Sequence, residues 1–253
     1  MRFADEEIAL YDLSNRPASF DYVTFLATAT TYGAKHVRLV LNNGWKDKDY
    51  NKKQAFERFI SIVEPAAALY GLDYSVGDRR GIEYNHVLKA SVETYAKMGR
   101  IGKIARPCKP SNYITITLRK SRCIERDSNE TEWLKFAKRL NCQSVILRDW
   151  DEQRVDLEYR WDLYANAKMN FMVINGPLTL CIHSDAPYIS MRTIGGPNSG
   201  STSPQQIERL TGITPGFQFP WAGPHQRLSY LDDTCENIEA EWAAMLDAER
   251  KVA

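Results

Sequence analysis

Three stretches of the chain carry groups suited to holding an anion. The first is Asn175-Gly176-Pro177, which stops an apolar run at 171–174 and is followed at once by Leu178-Thr179-Leu180. Glycine lets a ligand approach the main chain, proline suits the first position of a helix, and free amides at a helix start favour a phosphate. The same residues also suit an ordinary strand-to-helix turn in which Gly and Pro only shape the chain. The second stretch is Leu118-Arg119-Lys120, with Arg122 and Arg126 close behind. A guanidinium grips a phosphate through two parallel hydrogen bonds, so Arg119 or Arg126 would suit a diphosphate clamp. The competing reading is a solvated basic loop balanced by Glu125 and Asp127. The third contains Gln218, Trp221, Gln226 and Arg227. These could meet hydroxyls, a phosphate or a flat ring, or could belong to a loop anchored on the core by Phe217, Phe219 and Trp221.

Carboxylates open a second kind of chemistry. Asp149-Trp150-Asp151 presents two acids one residue apart, a set that suits the oxygen-rich shell of magnesium or manganese, although Asp-x-Asp is common by chance. Asp12, Asp21 or Glu83 could act as a base toward a hydroxyl, or could be capping and surface carboxylates. The four histidines and five cysteines lack metal-ligand spacing, so neither a Cys/His metal site nor a cofactor is expected.

Positioning such groups requires a framework, and hydrophobic periodicity supplies one. Strands are predicted at 8–13, 36–41 and 72–76, with helices at 20–32, 52–70 and 87–98. A basic, proline-containing stretch at 99–110 reads as a linker. Alternation then resumes: strands at 113–118, 144–147, 171–174 and 187–190 and helices at 130–140, 158–167 and from Leu178. Residues 194–204 and 212–224 read as loops, and an acid-led helix covers 232–246. Repeated strand-helix alternation predicts an α/β fold with two Rossmann-like halves and mostly parallel sheets facing a central cleft, divided as 1–106 and 107–253. Asn175-Gly176-Pro177 then falls at the carboxyl end of a strand, where open α/β sheets hold ligands. Asn15-Arg16 and Asn43-Gly44-Trp45 take equivalent places in the first half and would face the cleft between the halves.

Bulk properties narrow the partners. Lys and Arg total 33 against 32 for Asp and Glu, so no net field draws the chain to nucleic acid or an anionic membrane. No apolar segment reaches the roughly 18–20 residues of a membrane span, and the first residues lack a secretion-signal pattern, so a cytoplasmic location is expected.

The run Leu163-Tyr-Ala-Asn-Ala167, then Phe171-Met-Val-Ile-Asn-Gly-Pro-Leu-Thr-Leu180 and Ala186-Pro-Tyr-Ile189 resembles the donor side of two-Rossmann-domain (GT-B) glycosyltransferases. It looks most like the heptosyltransferase-type group, with close likeness confined to 163–189. The resemblance implies a nucleoside-diphosphate sugar donor whose diphosphate meets Asn175, Gly176, Pro177, Leu178 and Thr179. It also implies a glycan or other hydroxyl acceptor in the cleft, and no essential metal. The segment 215–228 has no counterpart in that pattern. Two alternatives stay open: a metal-dependent transferase resembling the GT-A type through Asp149 and Asp151, and a nucleotide-sugar or glycan-binding module without catalysis.

Overall fold

Short apolar runs become parallel strands in both halves of the chain. The computed structural model describes residues 8–13, 18–40, 56–77, 99–121, 124–149, 156–195, 203–211 and 213–252. In the first half, β1 (Ile8–Asp12), β2 (His36–Val40) and β3 (Asp73–Gly77) pair in parallel in the order β1-β2-β3. Helix α1 (Asp21–Thr31) joins β1 to β2 and buries Tyr22, Val23, Phe25, Leu26 and Ala29. The helix predicted at 52–70 is interrupted: a π-helical turn at Phe59–Val63 precedes α2 (Glu64–Leu69). Pro65 lacks the N–H that an unbroken helix would donate four residues back, and the register changes just before it. The predicted helix at 87–98, together with Asn15, Arg16, Asn43, Gly44, Trp45 and Glu83, lies outside the described residues.

The second sheet contains β4 (Tyr113–Leu118), β5 (Gln143–Arg148), β6 (Met169–Val173), β7 (Tyr188–Met191) and β8 (Gln226–Leu228), all parallel, in the order β5-β4-β6-β7-β8. The chain builds outward from β4 to β5 and then crosses to the opposite side, so the topology reverses between β4 and β6. One face of this sheet presents Ile114, Ile116, Leu118, Phe171, Val173, Ile189 and Met191. These pack against α3 (Glu130–Arg139) and the terminal helix through Trp133, Phe136, Ile238 and Met245. The other face carries α4 (Leu157–Asn166) and α5 (Leu178–Ile182). Two elements escaped the sequence reading. Strand β8 is only three residues long, too short for periodicity to register. Helix α6 (Pro204–Thr211) follows Ser203, whose Oγ accepts from the Gln206 N–H. That Ser-Pro start is a helix signature that the glycine-rich surroundings obscured. The terminal helix, α7, spans Cys235–Val252.

The two halves share a continuous apolar cluster. Tyr11, Phe25, Leu26, Val63 and Leu69 of the first half join Leu157, Trp161, Tyr164, Leu178, Leu180 and Cys181 of the second. The segment predicted as a linker runs along this seam. Gly102 N–H donates to Thr31 Oγ1 at 2.6 Å, Ile104 N–H to the His183 carbonyl at 2.8 Å, Ala105 N–H to the Leu69 carbonyl at 2.9 Å and Lys109 N–H to the Ala165 carbonyl at 2.8 Å. These bonds reach α1, α2, α4 and α5, so the connector is stitched to both sides and its freedom is small. Among the described residues, no helix is long and apolar enough to cross a membrane.

His183 sits in this seam, 2% exposed, with Nε2 3.1 Å from Thr24 Oγ1 on α1. Burial pushes its pKa from 6.5 down to about 3. Below pH 6.5 the unfolded chain binds a proton that the folded chain refuses, so stability is full above that pH and falls as pH drops toward 3. The limiting slope from this residue is about 1.4 kcal/mol per pH unit. Urea denaturation of the wild type and His183→Gln between pH 7 and 4.5 is expected to show a shallower decline in the variant; parallel declines would show that His183 is protonated in the folded protein.

Candidate functional site

The carboxyl ends of β4, β5 and β6 bring together groups that are distant in sequence. Arg119, Lys120 and Ser121 follow β4, Asp149 follows β5, and Asn175, Gly176 and Pro177 follow β6. With Arg160 of α4 and with Phe20 and Arg58 of the first half, they line a cleft of about 190 Å³. This is the crevice at the switch point of an open parallel sheet, the general ligand location in such folds.

Arg160 forms the base of the cleft. It occupies the inward stripe of α4 with Leu157, Trp161 and Tyr164, and its side chain is 2% exposed. Nη1 lies 3.0 Å from Asp149 Oδ1 and donates to the Tyr164 hydroxyl at 3.2 Å. The Tyr164 and Thr117 hydroxyls are hydrogen-bonded at 2.7 Å. Burial raises the Tyr164 pKa to about 12, so the phenol stays protonated. Its oxygen accepts from Arg160, and either hydroxyl of the Tyr164–Thr117 pair can be the donor. Asp149 Oδ2 accepts from Asn175 Nδ2 at 3.2 Å. Burial raises the Asp149 pKa, against the opposing pull of Arg160, Arg119 and Asn175.

The remaining cations approach from three directions. Arg119 Nη1 donates to the Ile174 carbonyl at 2.8 Å, tying the end of β4 to the end of β6. Arg58 Nε donates to the Ala18 carbonyl at 2.8 Å, which holds its guanidinium beside Phe20. Lys120 is exposed at the rim. Among the described residues, four cationic side chains therefore line the cleft with one carboxylate, and the arrangement suits a ligand carrying more than one negative charge. A divalent cation at Asp149 would have to compete with Arg160 for the same carboxylate and would meet the charge of Arg119. The second acid of that pair, Asp151, lies outside the described residues.

The Asn175-Gly176-Pro177 turn differs in detail from its expected chemistry. Asn175 Oδ1 accepts the Leu178 N–H at 2.9 Å, and the Gly176 carbonyl accepts both the Thr179 N–H at 3.1 Å and the Thr179 hydroxyl at 2.7 Å. The Leu178 and Thr179 amides are consumed within the turn, and neither residue lines the cleft. Gly176 has a further reason to be glycine: a Cβ there would lie 3.2 Å from both Cβ and Cδ2 of Phe20. The residue is where the first half rests on the second.

Other expected site residues lie elsewhere. Arg126 belongs to a short 3-10 turn, Ile124–Arg126, and does not line the cleft. Gln218 clamps β8, donating through Nε2 to the Leu228 carbonyl at 2.8 Å and accepting its N–H at 2.6 Å. Arg227 pairs with Glu241 of α7 at 2.7 Å. Gln226 donates to the carbonyls of Cys181, Ser184 and Ala186, and Trp221 Nε1 donates to the Ile182 carbonyl. The late segment thus fastens the edge of the second sheet. Conversely, Phe20, Arg58 and Arg160 were not singled out from sequence. Only Arg160 left a usable signal, an arginine within the apolar stripe 157, 160, 161 and 164. Away from the cleft, Glu132, Cys235 and Glu236 converge closely enough to suggest a metal site. Glu132 instead accepts the Cys235 N–H, and Glu236 pairs with Lys135.

No protein-family model matches the chain, and no curated protein matches it in sequence. Among solved structures, the chain is similar to the bacterial iron-containing dodecameric glycosyltransferase TibC from enterotoxigenic E. coli, at 12% identity and a TM-score of 0.45, over 100% of this chain and 78% of that one.

Asp149→Asn leaves the buried Arg160 without its ion pair and is expected to lower the unfolding free energy by roughly 3 kcal/mol in urea titration. The same change removes the negative charge from the cleft and is expected to tighten binding of inorganic pyrophosphate, read by calorimetry at low salt. Equal stability of variant and wild type would show that Arg160 does not depend on this carboxylate.

Proposed function

We propose that the protein is a glycosyltransferase that binds a nucleoside-diphosphate sugar in the cleft at the ends of β4, β5 and β6 and transfers the sugar to a hydroxyl acceptor. The observation that carries this reading is the set Arg58, Arg119, Lys120 and Arg160 gathered with one carboxylate at the switch point of a parallel sheet. The resemblance over 163–189 supports the choice of donor, since its Asn-Gly-Pro turn supplies one wall of that cleft. Donor contacts come mainly from the half 107–253 and acceptor contacts from the half 1–106, with Phe20 and Arg58 reaching the same cleft from the first half.

The chemistry asked of the site is charge stabilisation. As the glycosidic bond breaks, negative charge builds on the departing diphosphate, and guanidinium groups already fixed in place stabilise it without reorganising. Arg160 is held by Asp149 and Tyr164, and Arg119 by the Ile174 carbonyl. In this reading the cations serve where a metal would otherwise serve. The cysteines described as free, Cys108, Cys142, Cys181 and Cys235, suit the reducing conditions of a cytoplasmic enzyme.

One observation favours a second reading, a donor-binding module without catalysis. Asp149, the carboxylate lining the described cleft, is engaged by Arg160 and Asn175 and so is poorly placed to take a proton from an acceptor. Assaying donor consumption over a panel of hydroxyl acceptors separates the two, because a module binds donor without consuming it.

A thermal-shift screen of UDP-, GDP-, ADP- and CMP-sugars, with and without EDTA, tests the proposal. A true donor at about 100 times its Kd is expected to stabilise the fold by about 2.7 kcal/mol, with no change on adding EDTA. Arg119→Ala is expected to weaken that donor by about 10- to 100-fold, the loss of a charged hydrogen bond. No shift with any donor would end this reading, and a shift abolished by EDTA would restore the metal-dependent alternative.

A further inference from the structure

Arg192 follows β7 with a backbone φ of 47°, the one non-glycine residue with positive φ among the described residues. Such a left-handed conformation is costly for an arginine and persists where surrounding contacts demand it. Those contacts are visible. Nη2 donates to the main-chain carbonyl of Asp127, and Nη1 lies 3.4 Å from Asp233 Oδ1. Asp233 is buried, and its Oδ2 accepts the Asn129 N–H at 2.7 Å and Trp133 Nε1 at 2.8 Å. Residues 127 and 129 are thereby held to the frame of β7, α3 and the segment leading into α7.

The same short segment holds the cationic side of the cleft. Asp127 Oδ1 accepts the Ser121 N–H at 2.6 Å and the Ser121 hydroxyl at 3.0 Å. Ser128 N–H donates to the Arg119 carbonyl at 2.9 Å, and Arg119 N–H donates to Ser128 Oγ at 2.8 Å. From these bonds we infer that Arg192, which does not line the cleft, is a positioning residue for the anion clamp. Anchored on Asp233, its guanidinium fixes the 127–128 brace, and the brace aims Arg119, Lys120 and Ser121 into the cleft. Without it those residues would have to be ordered by the ligand, at a cost to affinity. The affinity half of this inference rests on the anion-binding reading of the cleft; the bracing half does not.

Two variants separate bracing from general stability. Glycine adopts a φ of 47° without strain, so Arg192→Gly removes the guanidinium while easing the backbone. Arg192→Lys restores a cation. By amide hydrogen exchange, Ser121 and Ser128 in Arg192→Gly are expected to exchange about tenfold faster or more, with β4 and β6 unchanged, a local opening. Calorimetry with inorganic pyrophosphate is expected to show an affinity loss of about tenfold in Arg192→Gly, partly recovered in Arg192→Lys. Unchanged exchange at Ser121 and Ser128 overturns the inference, as does a uniform rise in exchange across all strands. Wild-type protein that fails to bind pyrophosphate overturns the anion-binding reading and the affinity half, while the exchange result still decides the bracing half.

Discussion

A guanidinium beneath a solvent-facing cleft is the constraint around which the second half is organised. Arg160 is 2% exposed, and a charge so buried demands a partner and further hydrogen bonds. Asp149 supplies the opposite charge from the end of β5, and Tyr164 supplies an acceptor that is itself hydrogen-bonded to the Thr117 hydroxyl on β4. Asn175 completes the set by bonding Asp149 with its amide nitrogen and the start of α5 with its oxygen. One buried cation therefore fixes the relative placement of β4, β5, β6 and two helices.

The apolar seam then determines what the cleft can be. Because α1 and α2 pack directly on α4 and α5, the first half contributes Phe20 and Arg58 at close range. Phe20 rests on Gly176, which turns a residue suited to ligand approach into one also required for packing. The connector lies across the same seam with its amides bonded to both sides, and a buried neutral histidine sits within it. A change in the seam would reach the cleft through Phe20.

Charge is local here. The chain carries 33 basic and 32 acidic residues, so its long-range field is slight. Among the described residues, four cations line the cleft with one carboxylate, and the Arg160–Asp149 pair, at 3.0 Å, lies well inside a Debye length of about 8 Å. The proposed anion site thus does not require the protein to be generally basic. Arg160 is held by Asp149 and Tyr164, Arg119 by the Ile174 carbonyl and Arg58 by the Ala18 carbonyl.

Much of this framework was legible from residue order. Strand-helix alternation reports which residues are buried at each period, and that property is local; it identified both parallel sheets and placed Arg119 and Asn175 at strand ends. Strands of three residues, such as β8, and a helix start hidden among glycines, as at Pro204, fall below what such a pattern resolves. Tertiary structure alone decided which strand ends are neighbours, and with that which polar groups meet. It brought Phe20, Arg58 and Arg160 to the cleft, sent Gln218 to Leu228 and Arg227 to Glu241, and consumed the Leu178 amide with Asn175. The physical reason is that burial follows from a residue's own chemistry and its near neighbours, whereas a hydrogen-bond partner is whatever the folded chain brings within about 3 Å.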